Sequence, residues 1–269
     1  MSGAVGEVKD HPAVQGLGRV GMVFYGAVHV IIAWLVAQVA LGDASRKADS
    51  KGALTEVSQT ALGPFLLWAL AIGLAFFVLW QVVEAFAGYT YVREKRKRTG
   101  KRIGAGARAI TATTIAVAAQ QYARGKGGSD STGTQRELTA RVLALPFGQV
   151  LVGAVAVGIL VIAGVVLRKG VKKSFERDLD LSELPAGSRR VVERLGRAGW
   201  IGKGAAYAVI GVLVGIAAVT ADPGRSGGLD NALRTLAAQP YGTVLLALIA
   251  VGFAAFGVYC VAAAKAHRH

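Results

Sequence analysis

The chain has 269 residues, of which 53% are hydrophobic and 17% are charged, and its formal net charge is +15. A soluble domain usually has about a quarter charged residues, so this composition excludes an ordinary cytosolic enzyme and a disordered tail and indicates an integral membrane protein. The one cysteine, Cys260, also excludes an internal disulfide framework.

Apolar stretches along the chain predict membrane-spanning helices, which need about 20 residues each. Five clear candidates cover residues 20–41, 65–87, 147–167, 200–221 and 241–264. A sixth stretch, residues 103–123, is less apolar because Arg108, three threonines and two glutamines interrupt it. We expect the first stretch to remain as a spanning helix, since it is too long for the core of a signal peptide.

Internal repetition supports the sixth span. The pattern Leu-Gly-Arg-x-Gly at residues 17–21 recurs at 195–199, and a degenerate copy lies in register between them. The second helix of each unit carries a pair of glycines with one shared spacing: Gly63 and Gly73, Gly148 and Gly158, and Gly242 and Gly252. We therefore predict an all-α fold, a polytopic membrane bundle of six transmembrane helices. Its three two-helix repeats are parallel and packed with pseudo-threefold symmetry.

These boundaries give the predicted organisation of the chain. It comprises an N-terminal tail (residues 1–13), repeat one (14–92), a basic loop (93–102), repeat two (103–171), a linker (172–194), and repeat three with the C-terminal tail (195–269). Each outer loop ends in a short stretch with apolar residues at helical spacing, which predicts a helix along the membrane surface. We interpret the linker as a solvated segment, with a docking surface as the alternative.

The distribution of charge predicts the orientation. With both termini in the cytoplasm, 22 of the 31 Lys and Arg residues but only nine of the 16 Asp and Glu residues lie on that side. The positive-inside rule favours this arrangement. The basic tract beside the second span is predicted to bind anionic lipid headgroups rather than nucleic acid. It consists of Arg93, Lys95, Arg96, Lys97 and Arg98.

The repeated motifs resemble a known family. Three two-helix units, with a Leu-Gly-Arg-x-Gly-like first helix and a second helix opened by Gly63-Pro64 or Pro240-Tyr241-Gly242, resemble the bacterial domain-of-unknown-function 1206 membrane family. The resemblance spans about residues 14–264. It implies a six-helix protein of the bacterial plasma membrane, and it supplies no activity, substrate or catalytic residue.

Polar residues inside the spans are the candidate site residues. His29, Thr111, Thr114, Gln121 and Tyr207 share one face of the first helix of each repeat, and we predict that they form a polar layer on the pseudo-threefold axis. Interhelical hydrogen bonding is the preferred role of this layer. A proton relay or metal ligand at His29 is the alternative, although no second histidine or carboxylate lies at that depth.

A charged pair is predicted at the cytoplasmic boundary of repeat one. Arg19 opens the first span and Glu84 closes the second, so antiparallel packing brings them to one level. We predict an ion pair between them, with an unpaired interfacial carboxylate as the alternative.

The sequence holds no P-loop, zinc-protease or nucleophile-elbow motif, and we expect no catalytic, metal or cofactor site. Two classes of function remain. The preferred interpretation is a structural or accessory component of a membrane assembly, with other membrane proteins as partners. The alternative is a small transporter or channel lined by the polar layer, although the sequence lacks the broken helices and coupling carboxylates that transporters usually show.

Overall fold

The computed structural model describes residues 12–42, 48–89, 92, 94–127, 131–179, 186–226 and 228–266. Within these ranges the chain forms nine α-helices and two short 3₁₀ helices (Ser174–Asp178 and Pro223–Arg225), and no β-strand. The α-helices are α1 (Pro12–Ala40), α2 (Ser50–Ser58), α3 (Gly63–Ala87), α4 (Lys95–Ala123), α5 (Ser131–Leu143), α6 (Gly148–Val171), α7 (Ala186–Thr220), α8 (Leu229–Ala237) and α9 (Gly242–Ala266).

Five of these helices are long and apolar enough to cross a membrane. They are α1, α3, α6, α7 and α9, and together they make the chain a multi-pass membrane protein by length and composition. Helix α4 has the same length as α1, 29 residues, but its polar residues keep it below the hydropathy of the other five. The all-helical fold is confirmed.

Local sequence explains where several helices begin and end. Pro64 occupies the first turn of α3, where its missing N–H removes no hydrogen bond, and Gly88 ends that helix. The Asp49 carboxylate caps α2 by accepting the N–H of Gly52 at 2.8 Å. Helices α2, α5 and α8 are the three short helices predicted in the outer loops.

The six long helices pack in the order α4, α3, α1, α9, α7, α6, each against its neighbours in that series. Helices α4 and α6, at the two ends of the series, do not pack along their length. We call the space between them the open seam. The first and third repeats therefore form closed two-helix hairpins, whereas the two long helices of the middle repeat stand apart.

Glycines mark the difference between closed and open hairpins. A Cβ added to Gly199 would lie 2.5 Å from Cα of Phe256, so the backbones of α7 and α9 approach as closely as glycine permits. Gly21 contacts the backbone of Phe77 in the same way within repeat one. The equivalent glycine of the middle repeat, Gly106, has no such atom within 4 Å.

The first part of the linker after α6, residues 172–179, packs partly against the bundle instead of lying free in solvent. Phe175 and Leu179 are 0% and 1% exposed, and the Phe175 ring lies against Tyr259 of α9 in an edge-on contact. Gly196 of α7 leaves room for that ring. This part of the linker folds back under the bundle because it carries apolar side chains between its charges, and residues 186–194 already belong to α7.

Candidate functional site

A cavity of about 60 Å³ lies between the helices at the end where α1 begins and α9 finishes. We call this the terminal end. All six long helices contribute to the cavity wall, and a space of this size can hold more than one water molecule. Its polar lining residues are Tyr25, Gln81, Tyr89, Arg108, Lys169, Asp178, Trp200, Tyr259 and Cys260.

A buried lysine lies beside the cavity, against two residues that line it. Lys203 of α7 is only 6% exposed, and its ammonium group donates a hydrogen bond to the Tyr25 hydroxyl at 2.8 Å. The same nitrogen lies 3.3 Å from Nε2 of His29. Because Nδ1 of His29 is 2.8 Å from the carbonyl oxygen of Tyr25, which can only accept, the proton belongs on Nδ1 and Nε2 accepts from Lys203.

Aromatic rings, rather than carboxylates, surround this ammonium group. Its nitrogen lies 4.3 Å from the ring centre of Phe256 and 5.1 Å from that of Tyr25, distances typical of cation–π contacts. In the described parts of the chain, no Asp or Glu oxygen lies within ion-pairing distance of Lys203. The positive charge of Lys203 is therefore held by dipoles and aromatic faces.

Arg108 of α4 also lines the cavity. Its guanidinium donates to the Tyr89 hydroxyl at 2.9 Å and to the Gln81 side-chain oxygen at 3.3 Å. Tyr89 follows Gly88 at the end of α3 and has a φ of 61°, a left-handed conformation that is costly for a tyrosine and that turns the chain at this point. Burial raises the pKa of Tyr89, and the nearby Arg108 opposes part of that shift.

A second charged cluster closes the terminal end between α4 and α6. The Asp178 carboxylate pairs with Lys101 of α4 and, at 3.1 Å, with Lys169 of α6. The Lys169 ammonium also lies 4.2 Å from the ring centre of Trp200. Burial alone would raise the pKa of Asp178, but the two ammonium groups outweigh burial and hold its pKa well below the ordinary range. Asp178 therefore ties together the ends of two helices that separate beyond it.

The predicted polar layer does not form. His29 is buried in the cluster just described, but Thr111, Thr114 and Gln121 are exposed and Tyr207 is only half-buried. The hydroxyls of the two threonines donate to carbonyl oxygens of their own helix, at 2.9 and 2.7 Å. Helix α4 instead buries a face of small and apolar residues: Ala105, Ala109, Ala112, Ile115 and Ala119.

The common face of the first helices has a different role from the one predicted. Gly26 of α1 faces the carbonyl oxygen of Gly257 on α9, and Gly204 of α7 faces Leu167 on α6. These positions are therefore contacts between neighbouring repeats, where small residues allow close approach, rather than groups on a central axis.

The predicted ion pair between Arg19 and Glu84 is also wrong. Glu84 is 1% exposed, whereas Arg19 is exposed and makes no ion pair with it. Arg19 lies on the outer surface of α1, while the polar face of α3 points toward the cavity.

The predicted headgroup tract forms the beginning of α4. Arg93 lies outside the described residues, Lys95, Arg96 and Lys97 are exposed, and Arg98 is half-buried with two hydrogen bonds to the Val92 carbonyl. Positive side chains in the first turn of a helix are opposed by its dipole, so anionic groups nearby would stabilise this turn. Lipid binding by this tract stays a prediction.

Sequence reasoning missed Lys203, Tyr25, Arg108 and Asp178 as parts of one site. One signal was available: Tyr25 and Lys203 are 178 residues apart, which is the spacing between repeats one and three. They therefore occupy equivalent places, and the hydrogen bond joins the two repeats. Among the side chains that the structure describes, no group of three His, Cys, Asp or Glu residues is placed to hold a metal ion.

Comparison with known proteins agrees with the repeats. The model of the Domain of Unknown Function (DUF1206) family matches the chain three times, at residues 20–88, 103–173 and 198–267. The chain is similar to the uncharacterized protein YxxB of Bacillus subtilis (strain 168), with 34% identity over 250 residues that cover 93% of this chain and 90% of that protein. No solved structure matches the chain. The three matches and the full-length similarity show that the chain belongs to the DUF1206 family.

Proposed function

We propose that the chain is a six-span protein of the bacterial plasma membrane that acts as a structural or accessory component of a membrane assembly, and not as an enzyme or transporter. Helix α4 is the sixth crossing in this proposal. It is 29 residues long, about 43 Å at 1.5 Å per residue, and it packs along α3, which is apolar enough to span.

The repeat contacts support a ring of three units. The first helix of repeat one packs on the second helix of repeat three, and the first helix of repeat three packs on the second helix of repeat two. The first helix of repeat two packs on the second helix of repeat one in the same sense. This cyclic order is what pseudo-threefold packing requires, with the open seam as its one departure.

Charge supports the orientation. The terminal end holds most of the basic residues, including those of the α3–α4 loop and of the segment between α6 and α7. The positive-inside rule therefore favours an orientation with the terminal end, and both chain termini, in the cytoplasm. Anionic lipid on that face is the expected partner of the basic tract, together with other membrane proteins.

The observation that supports the accessory function is that packed side chains fill the interior of the bundle beyond the cavity. Toward the outer end the helices meet through side chains that are 0% exposed, among them Leu35, Leu67 and Leu246. A passage for ions or polar solutes needs polar or wet walls across the whole membrane. The cavity is confined to the terminal half, so this packing favours a closed scaffold over a conduit.

Cysteine labelling tests the topology, because Cys260 is the one cysteine and can be replaced by alanine. In intact cells, a membrane-impermeant maleimide should label single cysteines placed at Gln59 and Lys126. It should label a cysteine at Gly100 only after the cells are permeabilised. Labelling of Gly100→Cys and Lys126→Cys from the same side would show that α4 does not cross.

Purification in a mild detergent tests the function. An accessory protein should retain specific membrane-protein partners that an unrelated multi-pass protein of equal abundance does not retain. Proteoliposomes of the purified chain should show no flux of protons or phosphate above protein-free vesicles. Recovery of the protein alone, together with flux that Lys203→Met abolishes, would establish the transporter alternative instead.

A further inference from the structure

A short segment, residues 173–179, lies against the terminal side of the cavity, and we call it the lid. It consists mainly of the 3₁₀ helix after α6, and its Phe175 side chain is 0% exposed. The Phe175 ring fills the space beside Gly196 of α7, where an added Cβ would lie 2.5 Å from its Cε2 atom. The same ring packs edge-on against Tyr259, which lines the cavity. The lid is thus seated in a slot at the edge of the cavity.

Asp178 fastens the lid to two helices that do not pack on each other along their length. Its carboxylate pairs with Lys101 of α4 and with Lys169 of α6, and Asp178 itself lines the cavity. On α4, Lys101 lies seven residues before Arg108, another lining residue, which is about 10 Å along the helix toward the terminal end. Asp178 therefore bounds the cavity on its terminal side.

The lid begins at a strained residue. Lys173 has a φ of 52°, a left-handed conformation that is costly for a residue with a β-carbon. Its ammonium group pairs with Glu193 of α7, so this residue is anchored on the bundle. Hinges are usually a few residues at the end of an element, and they absorb the change in backbone angles. Rotation about Lys173 would move the lid while α6, which ends at Val171, keeps its place.

The closed lid also buries a polar atom at a cost. One carboxylate oxygen of Glu176, Oε1, is buried, and no residue that the structure describes donates a hydrogen bond to it. Such an oxygen lowers stability because it has lost its hydrogen bonds to water. Outward movement of the lid returns the oxygen to water. The contacts of Phe175 and Asp178 therefore hold the lid closed against two costs, the burial of Glu176 and the strain at Lys173.

We propose that the lid opens by rotation about Lys173 while the bundle stays folded, and that Asp178 is the latch that keeps it closed. Cys260 lines the cavity and is 4% exposed, so its thiol is shielded in the closed form and meets solvent in the open form. Local opening of this kind needs less free energy than global unfolding. The inference does not depend on the proposed function, because the lid and the cavity belong to one chain, in detergent as in a membrane.

The reaction of Cys260 with iodoacetamide tests the proposal, in purified protein in detergent at room temperature. This reagent is small and uncharged, so a change of charge in a variant does not alter its local concentration. We expect Asp178→Asn to raise the rate constant at least about tenfold, because breaking a buried ion pair shifts an equilibrium by at least that factor. Lys101→Met should raise the rate constant by a smaller factor, since Lys169 remains as a partner of Asp178.

Asp230→Asn is the matched control. Asp230 is 4% exposed, and its carboxylate pairs with Arg234 at 2.9 Å on α8, one of the short helices of the outer loops. The substitution therefore removes a buried, paired carboxylate far from the lid. The rate constant for Cys260 should stay that of the unaltered protein.

Hydrogen–deuterium exchange of the lid gives a second readout that does not depend on the thiol. The N–H groups of Glu176 and Leu179 donate to carbonyl oxygens within the lid. A 3₁₀ helix this short does not persist away from the bundle, so opening exposes these amides. Exchange of peptides covering residues 173–179 should speed up in Asp178→Asn at least about tenfold, while exchange in the middle of α9 should not change.

Three results would overturn the proposal. Unchanged rates of thiol reaction and of lid exchange in Asp178→Asn would show that Asp178 is no latch. An equal increase in Asp230→Asn would indicate opening of the whole bundle rather than of the lid. If Asp178→Asn does not fold, the unaltered protein and Lys101→Met decide. Lid exchange in both that is no faster than exchange in the middle of α9 would count against local opening.

Discussion

Adding one methyl group to Gly199 and to Gly106, which occupy equivalent places in repeats three and two, should change stability in opposite directions. At Gly199 the new Cβ would lie 2.5 Å from Cα of Phe256 and 2.7 Å from its backbone nitrogen. Carbon atoms prefer about 3.5–4.0 Å, so the two helices must separate. At Gly106 the Cβ would meet nothing within 4 Å.

The magnitudes follow from these distances. Overpacking costs about 1–3 kcal/mol, and the contact at Gly199 is with backbone, which cannot rotate away, so the upper part of that range applies. Replacing glycine by alanine in a helix returns about 1 kcal/mol. Gly199→Ala should therefore destabilise the protein by about 2 kcal/mol, and Gly106→Ala should stabilise it by up to about 1 kcal/mol.

The one cysteine provides the assay. Cys260 is 4% exposed, so a fluorogenic maleimide reacts with it when the bundle opens on heating. At roughly 2–4 °C per kcal/mol, Gly199→Ala should lower Tm by on the order of 6 °C and Gly106→Ala should raise it by on the order of 3 °C. Equal shifts of the same sign in the two variants would refute the closed and open hairpins.

Three further changes test the terminal end. Asp178→Asn leaves Lys101 and Lys169 facing each other without their shared carboxylate and should cost about 3 kcal/mol, measured by the same thermal assay. The pKa of Asp178 is lowered in the folded protein, so the stability that its carboxylate contributes is complete above its unfolded pKa of about 4. That stability is lost as the pH falls further toward the folded pKa. Tm should therefore fall more steeply below about pH 4 in the unaltered protein than in Asp178→Asn. Phe175→Ala should cost about 3–5 kcal/mol and expose the linker to limited proteolysis, whereas a solvated linker would show neither effect. Tyr25→Phe and Lys203→Met should be non-additive by about 1 kcal/mol or more in a double-mutant cycle, and strict additivity would contradict their hydrogen bond.

The elements of this fold could be predicted from the sequence because length and periodicity determine them. Apolar runs of spanning length gave the long helices, repeated glycines gave the two-helix units, and helical spacing in the outer loops gave α2, α5 and α8. The resemblance noted from the same glycines is confirmed by the family match.

The rotation of α4 about its axis could not be predicted. Its polar residues suggested an inward face through Thr111 and Thr114, but a threonine hydroxyl can donate to a carbonyl of its own helix and needs no partner inside the protein. The alanine face, Ala105, Ala109 and Ala112, allows closer packing on α3 and is the face that is buried.

The buried lysine was missed for a different reason. The apolar run predicted a span that begins at residue 200, which placed Lys203 at a helix start near the membrane surface. Helix α7 begins at Ala186, so Lys203 lies well inside the helix rather than at its start. Tyr25 and His29 of α1 and Phe256 of α9 cover its side chain, which no property of the run itself reveals.

The separation of α4 from α6 has a consequence for biosynthesis. Helix α4, the least apolar of the six, leaves the ribosome when α3, against which it packs, is already made. Helix α6 must wait for α7, but it is the most apolar of these helices: its most apolar 18 residues have a mean hydropathy of 3.0, and only 17% of them are buried by protein. In the proposed six-span arrangement, each helix of the middle repeat therefore suits its order of insertion. Helix α4, the more polar, enters when its neighbour α3 is already present, and α6, which lacks a neighbour at that point, is stable in lipid alone.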